Sequence, residues 1–155
     1  MSNASNYLEN ELLDHILGEG ARNYTPTTLF IALFADTGSG VAAALESGTS
    51  STSGTANWGF YEIQTSGSTN YTRKAVDFNA ASSGSATNNG AVTFDQAGAN
   101  YNTAGGAGNT VTHIAIMDAV SAGNVLFYGA LSVSKTVTTG DTFQINDTAL
   151  TVSLA

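Results

Sequence analysis

The sequence feature that most constrains the fold is the apolar stretch over residues 110–133. Two runs rich in β-branched and aromatic residues flank a short segment in which Ser121, Gly123 and Asn124 supply turn-forming residues. This pattern predicts a β-hairpin. Because large apolar residues fall on both faces of the pleat, we expect both sides of the hairpin to be covered by protein and the hairpin to form the core of one β-domain.

Length and composition narrow the class of protein. A chain of 155 residues fits a single β-domain over residues 1–155 and is long enough to bury a core. The sequence contains no cysteine, which excludes disulfides, thiolate metal sites and cysteine nucleophiles. No apolar run approaches the roughly 18 residues that a membrane span needs, and the first residues lack the pattern of a secretory leader. We therefore expect a soluble protein that is made in the cytoplasm and has no membrane partner.

The charge balance disfavours nucleic acid as a partner. Twelve acidic residues stand against four basic ones, which gives a formal net charge of −8. Binding to a phosphate backbone needs clustered cations, and Arg22, Arg73, Lys74 and Lys135 are too few to form a broad basic face. The surface should consist instead of Ser, Thr, Asn and Gly.

One helix is predicted, over about residues 5–18. Ser5 is a candidate N-cap, and large aliphatic residues recur at three- to five-residue steps until Gly18 and Gly20. The opposite face is polar, so the apolar stripe should pack either on its own domain or against a neighbouring subunit. The stripe consists of Leu8, Leu12, Leu13, Ile16 and Leu17.

The rest of the sequence, outside the helix and the hairpin, predicts short strands separated by polar loops. Residues 28–35 should form an interior strand, and residues 71–78 a half-buried one. Residues of about 36–57, rich in Gly, Ser, Thr and Ala, are predicted as one long polar loop. Further strands are predicted over residues 91–95, 142–145 and 149–154, with a polar loop over residues 80–90. Seven or eight strands indicate a mainly β fold, an antiparallel β-sandwich or flattened barrel with one N-terminal α-helix.

No motif indicates an enzyme. His15 and His113 lie in no nucleophile or metal motif, so we expect His15 to be solvated and His113 to be structural, hydrogen-bonded across the sheet. Asp36, Asp118 and Asp141 stand near turns, where aspartate commonly bonds its own backbone, and no calcium-binding loop pattern is present. The sequence thus predicts no catalytic residue, metal or cofactor.

An aromatic cluster beside the long loop is the best candidate for a ligand surface. Trp58, Phe60 and Tyr61 could stack on sugars, anchor the loop on an adjacent subunit, or simply belong to the core. Together with the helix stripe they give a candidate interface set. This set is Leu8, Leu12, Leu13, Ile16, Leu17, Trp58, Phe60 and Tyr61.

Several segments resemble a family of small virion proteins of tailed phages, labelled as tail-fibre or head-decoration proteins. The resemblance is carried by residues 6–17, 24–26, 29–34, 71–76, 92–94, 111–116, 123–131 and 135–137. It spans nearly the whole chain, although the loops over residues 47–57 and before Thr110 are longer than the family pattern. The resemblance implies an architecture and a place in the virion, and it brings no catalytic motif.

The sequence therefore predicts a non-enzymatic structural protein of a tailed-phage virion. The short chain, its neutral surface and the absence of fibre-shaft repeats favour a capsid decoration or cement protein on the major capsid shell. The alternative is a tail-fibre or tail-associated protein that binds a host receptor or glycan. Expected partners are other virion proteins, either the major capsid protein or tail proteins, and further copies of the chain.

Overall fold

The computed structural model describes residues 3–17, 28–36, 38 and 40–153. Over these residues the protein is mainly β with antiparallel pairing, which confirms the predicted fold class. The strands are β1 (Asn3–Ala4), β2 (Leu29–Ala35), β3 (Lys74–Val76), β4 (Ser85–Thr87), β5 (Val92–Thr93), β6 (Thr110–Met117), β7 (Val125–Thr136), β8 (Gln144–Ile145) and β9 (Thr151–Ser153). The helices are α1 (Asn6–Leu17) and α2 (Val41–Ser47), with a 3₁₀ turn at Trp58–Phe60.

A five-stranded antiparallel sheet organises the fold, in the order β1-β7-β6-β2-β3. Its β6–β7 pair is the hairpin predicted from residues 110–133, and β2 lies between β6 and β3, as expected of an interior strand. In the hairpin turn the Asp118 carboxylate accepts hydrogen bonds from the Asn124 backbone N–H at 2.7 Å and its side-chain amide at 2.8 Å. Gly123 beside them has φ of +70°, a conformation that favours glycine.

Both faces of the central sheet are covered, as the two-sided apolar pattern predicts. On one face Ile31 and Leu33 of β2 share a core with Leu8 of α1 and with residues of the two-stranded ribbons β4–β9 and β5–β8. On the other face Ala32 and Phe34 pack with α2 and with the 3₁₀ turn. The side chains of β2 therefore alternate between two buried layers, which agrees with the predicted interior strand.

Helix α1 confirms the helix that was predicted over about residues 5–18. Ser5 caps it, because its Oγ accepts a hydrogen bond from the Leu8 backbone N–H at 3.3 Å. The same hydroxyl donates to the Val125 carbonyl of β7, which fastens the start of the helix to the sheet. Gly18 and Gly20, the residues predicted to end the helix, lie outside the described residues.

Two segments predicted as loops contain regular structure, and those predictions are wrong in this respect. The long polar loop over about 36–57 includes α2, and the polar loop over 80–90 includes β4. Asp36 stabilises the start of α2, because its carboxylate accepts hydrogen bonds from the backbone N–H groups of Gly40 at 3.1 Å and Val41 at 3.2 Å. The helix then buries Val41, Ala44 and Leu45 on the sheet.

Candidate interaction surface

An ion pair between Arg73 and Glu62 connects the hairpin turn to the aromatic segment, by which we mean residues 58–62. Arg73 is 6% exposed, and its Nε and Nη2 donate to the two carboxylate oxygens of Glu62 at 2.7 and 2.8 Å. Its Nη1 donates to the carbonyls of Ala119 and Ala122 in the hairpin turn, both at 2.8 Å. The guanidinium is thus engaged within the chain on three of its nitrogens, and it holds the turn in place.

The predicted aromatic cluster lies against this ion pair. Trp58 is 3% exposed, its ring centroid is 5.2 Å from Cζ of Arg73, and it meets Phe34 edge-on at 6.4 Å between centroids. Tyr61 is 5% exposed, and the half-buried ring of Phe60 packs edge-on against it. In the single chain Trp58 and Tyr61 therefore belong to the core, and Trp58 offers no open face on which a sugar could stack.

A cleft of about 490 Å³ opens beside the ion pair, between the polar loops and the hairpin turn. The charged groups that line it, Arg73 and Glu62, neutralise each other. The Tyr71 hydroxyl donates to Glu62 at 3.1 Å and accepts from the Leu33 backbone N–H at 3.0 Å. Burial, reinforced by the Glu62 charge, raises the pKa of Tyr71 well above its ordinary 10.0, so the hydroxyl stays protonated near neutral pH. The charged groups in the lining of the cleft are therefore paired with each other.

The other titratable candidates are placed largely as the sequence indicates. His15 is exposed on α1. His113 is half-buried in β6 with Nδ1 3.0 Å from Oγ1 of its neighbour Thr112, so this hydrogen bond does not cross the sheet as predicted. Burial lowers the pKa of His113 below 6.5. Asp141 accepts hydrogen bonds from the backbone and hydroxyl of Thr138, both at 2.8 Å, as predicted for a turn aspartate.

Within the described ranges, no three His, Asp or Glu side chains come together in a way that could hold a metal ion. The helices of the same ranges include none with the length and hydropathy of a membrane span.

The helix stripe divides into a buried half and an open half. Leu8 is buried and Leu12 packs half-buried against the same core layer. Leu13, Ile16 and Leu17 are 54%, 72% and 72% exposed, and we refer to these three as the α1 apolar end. Such a group of large apolar side chains in water is typical of a contact surface.

The eight residues of the predicted interface do not form one patch. Leu8 lies in the core layer on one side of the sheet and Trp58 in the layer on the other side. The α1 apolar end is the part of the set that is open to a partner in the single chain, and the interface role of the whole set stays a prediction.

Sequence reasoning missed a second open apolar surface, a groove between β7 and β8 of about 310 Å³. It forms because β7 bulges: residues 131–134 stand between the pairs His113↔Ala130 and Val111↔Lys135, opposite Thr112 alone. Val133 on this bulge is 77% exposed. The β7–β8 groove is lined by Ile114, Leu131, Val133, Lys135, Phe143, Gln144, Ile145, Asn146, Ala149 and Leu150.

These features define a class of protein: a mainly β protein whose deepest charged groups are paired within the fold and whose exposed apolar areas include the α1 apolar end and the β7–β8 groove. A family model described as "Podophage GP4 fiber I protein gp80" matches residues 3–153. The chain therefore belongs to this family of phage fibre proteins, which confirms the resemblance to small tailed-phage virion proteins and implies a place in the virion beside other virion proteins. No curated protein matches the chain.

Proposed function

We propose that the chain is a structural component of a tailed-phage fibre. The observation that carries this proposal is the family match to phage fibre proteins over residues 3–153. It favours the tail-fibre alternative over capsid decoration or cement. Because the sequence lacks heptads and β-helical repeats, we place the chain in a globular part of the fibre and not in its shaft.

The protein acts in this proposal through contacts, without catalysis. The most deeply placed charged groups, Arg73 and Glu62, are paired with each other, and Tyr71 is held protonated beside them. Groups committed in this way position the hairpin turn and have no spare proton or charge to offer a substrate. Support for a non-enzymatic role therefore comes from what these side chains already do.

The α1 apolar end is the contact surface that we assign to this function. Leu8 and the Ser5 cap fix the first turns of α1 on the sheet, while the three exposed residues project beyond it. Burial of such side chains against a partner removes apolar area from water, at roughly 25 cal/mol per Å² before the costs of association. This surface is where a neighbouring protein of the virion, which includes a second copy of the chain, would hold it.

The location is tested by labelling the protein within intact particles. A short peptide tag inserted in the exposed turn at residues 65–68, where a Cβ added at Gly67 would meet no atom within 4 Å, leaves both core layers untouched. Gold-labelled antibody to the tag should decorate the tail fibres in electron micrographs. Label distributed over the shell would instead establish capsid decoration and refute the proposal.

A matched measurement uses copy number and shell stability. A fibre component should be present in few copies per particle, and particles that lack it should keep the heat stability of their shells. Hundreds of copies per particle, or shells that open at lower temperature without the protein, would contradict the proposal in favour of a cement role.

A further inference from the structure

We propose that the α1 apolar end of one copy docks into the β7–β8 groove of a second copy, so that copies of the chain join head to tail. This inference rests on the part of the proposed function that makes the α1 apolar end a contact surface. It does not depend on where in the virion the chain is held.

The two surfaces are both exposed and largely apolar, and their sizes are compatible. The donor is a projecting row of three large aliphatic side chains, Leu13, Ile16 and Leu17. The floor of the acceptor groove is formed by the apolar side chains of Phe143 and Leu150, with Val133 on the exposed bulge as one wall. A cavity of about 150 Å³ holds a benzene molecule, so a groove of about 310 Å³ has room for two aliphatic side chains.

One pair of opposite charges lies beside the two surfaces. Asp14 is exposed and lies one helical turn before Leu17, so its carboxylate accompanies the α1 apolar end. Lys135 is exposed at the groove, and its charge helps to lower the pKa of nearby Asp141. Of the cations in the described ranges, Arg73 and Lys74 have salt bridges to Glu62 and Asp95, whereas no salt bridge engages Lys135. A carboxylate arriving at the groove would therefore meet a lysine that can pair with it.

The position of the surfaces favours a head-to-tail arrangement. Ser5 fastens α1 to β7 at Val125 and Leu126, while the groove begins at Leu131, about 17 Å further along the strand at the usual rise per residue. The exposure of the α1 apolar end shows that it does not fill the groove of its own chain.

A two-fold pairing of the α1 apolar ends would instead bring acidic side chains of both helices together, since Glu9 and Asp14 are exposed on α1. A head-to-tail contact avoids this repulsion. It produces a ring of copies wherever the rotation between neighbours closes. The contact is small, so we expect weak association of the free protein that strengthens where the virion holds several copies together.

The absence of cysteine from the sequence allows a clean cross-linking test with the full chain. Ile16→Cys and Val133→Cys replace exposed side chains on the two proposed surfaces, so folding should be retained and is checked by circular dichroism. Under mild oxidation an equimolar mixture of the two variants should form a disulfide-linked dimer at least tenfold more than a mixture of Ile16→Cys with the control Ser66→Cys. Equal yields in the two mixtures would overturn the proposal, and so would self-linking of Ile16→Cys as the dominant product, because that indicates a two-fold contact.

A charge exchange tests the orientation of the contact independently. Asp14→Lys and Lys135→Glu should each weaken concentration-dependent association in analytical ultracentrifugation several-fold, and the double variant should restore it. A double variant that associates no better than the single variants would overturn the assigned pairing. Because these measurements use purified protein, they can fail while particle labelling still places the chain in the fibre, and the two proposals remain distinguishable.

Discussion

Replacing Arg73 by methionine should cost far more stability than the same replacement of its neighbour Lys74. Both residues form salt bridges with an N–O distance of 2.7 Å. They differ in burial: the side chains of the Arg73–Glu62 pair are 3% and 16% exposed, whereas those of Lys74–Asp95 are 24% and 60% exposed. The adjacent lysine is therefore a matched control for the presence of an ion pair.

The expected magnitudes follow from what each substitution leaves behind. Arg73→Met leaves the partly buried Glu62 carboxylate without its cation and removes the donor to the carbonyls of Ala119 and Ala122. Breaking a buried pair in this way costs about 3–5 kcal/mol. An exposed pair contributes about 0–1 kcal/mol. At about 2–4 °C per kcal/mol for a protein of this size, the melting temperature should fall by roughly 6–20 °C for Arg73→Met and at most about 4 °C for Lys74→Met.

Urea unfolding at neutral pH measures the difference, with two probes. Trp58 is the single tryptophan of the sequence and lies under Arg73, so its fluorescence reports the local structure, and circular dichroism reports the whole chain. Adding Glu62→Gln to Arg73→Met removes the stranded charge and should recover part of the loss. A loss for Arg73→Met no larger than that for Lys74→Met, or no recovery on adding Glu62→Gln, would refute a stabilising role of the Arg73–Glu62 pair.

Three further predictions concern the packing and the titration of single residues. Tyr101→Phe should leave stability unchanged or raise it by about 1 kcal/mol, because within the described part of the chain the buried Tyr101 hydroxyl has no hydrogen-bond partner; a loss above about 1 kcal/mol in urea unfolding would contradict this. Gly105→Ala should cost about 1–3 kcal/mol, because a Cβ there would lie 2.2 Å from the Phe60 ring. Thermal unfolding compares it with Gly38→Ala, where the nearest atom is 3.6 Å away and little change is expected. Burial, with the hydrogen bond to Glu46, raises the pKa of Tyr128 from 10.0 to about 12. The contribution of Tyr128 to the free energy of unfolding should therefore stay constant below pH 10.0 and decrease as the pH rises toward about 12, because the unfolded chain loses this proton first. Tyr128→Phe should make that fall shallower in alkaline unfolding curves, and an unchanged slope would count against the assignment.

The parts of the fold that the sequence predicts are those in which local and long-range signals agree. In the hairpin and β2, runs of β-branched and aromatic residues are long enough to show that both faces are buried, and the structure places them in the middle of the sheet. For α1 the Ser5 cap and the aliphatic stripe both mark the same start. The acidic turn residues Asp36, Asp118 and Asp141 were also predictable, since their partners lie within a few residues.

The missed elements depend on partners that are distant in the sequence. Helix α2 has seven residues, too few to be stable alone, and it persists because Val41, Ala44 and Leu45 pack on the sheet. The surrounding glycines and serines concealed the one local signal, a run of alanine and leucine that follows Asp36. Strand β4 is stabilised by its antiparallel pairing with β9, more than 60 residues further along the chain. No local sequence pattern indicates this pairing.

The candidate surfaces show the same division between local and distant information. In the sequence Arg73 is one of four basic residues, and no local pattern indicates its partner. Its pairing with Glu62 and with the hairpin turn requires the aromatic segment to pass beneath that turn, which only the fold reveals. The β7–β8 groove depends on a bulge in one strand and on the approach of another, so its residues are apolar in the sequence without indicating a concave surface.

The division of the α1 stripe separates the residues that stabilise the fold from those that are available for assembly. The sequence pattern treats all five aliphatic positions alike, because each recurs on the same face of the helix. In the structure the sheet reaches only as far as Leu8 and Leu12, which gain their burial from the chain itself. Leu13, Ile16 and Leu17 contribute little to the stability of the single chain, so the fold does not account for their large apolar side chains. The proposed contact with another copy would account for them, because the groove on the opposite half of β7 offers apolar side chains and a lysine to receive them.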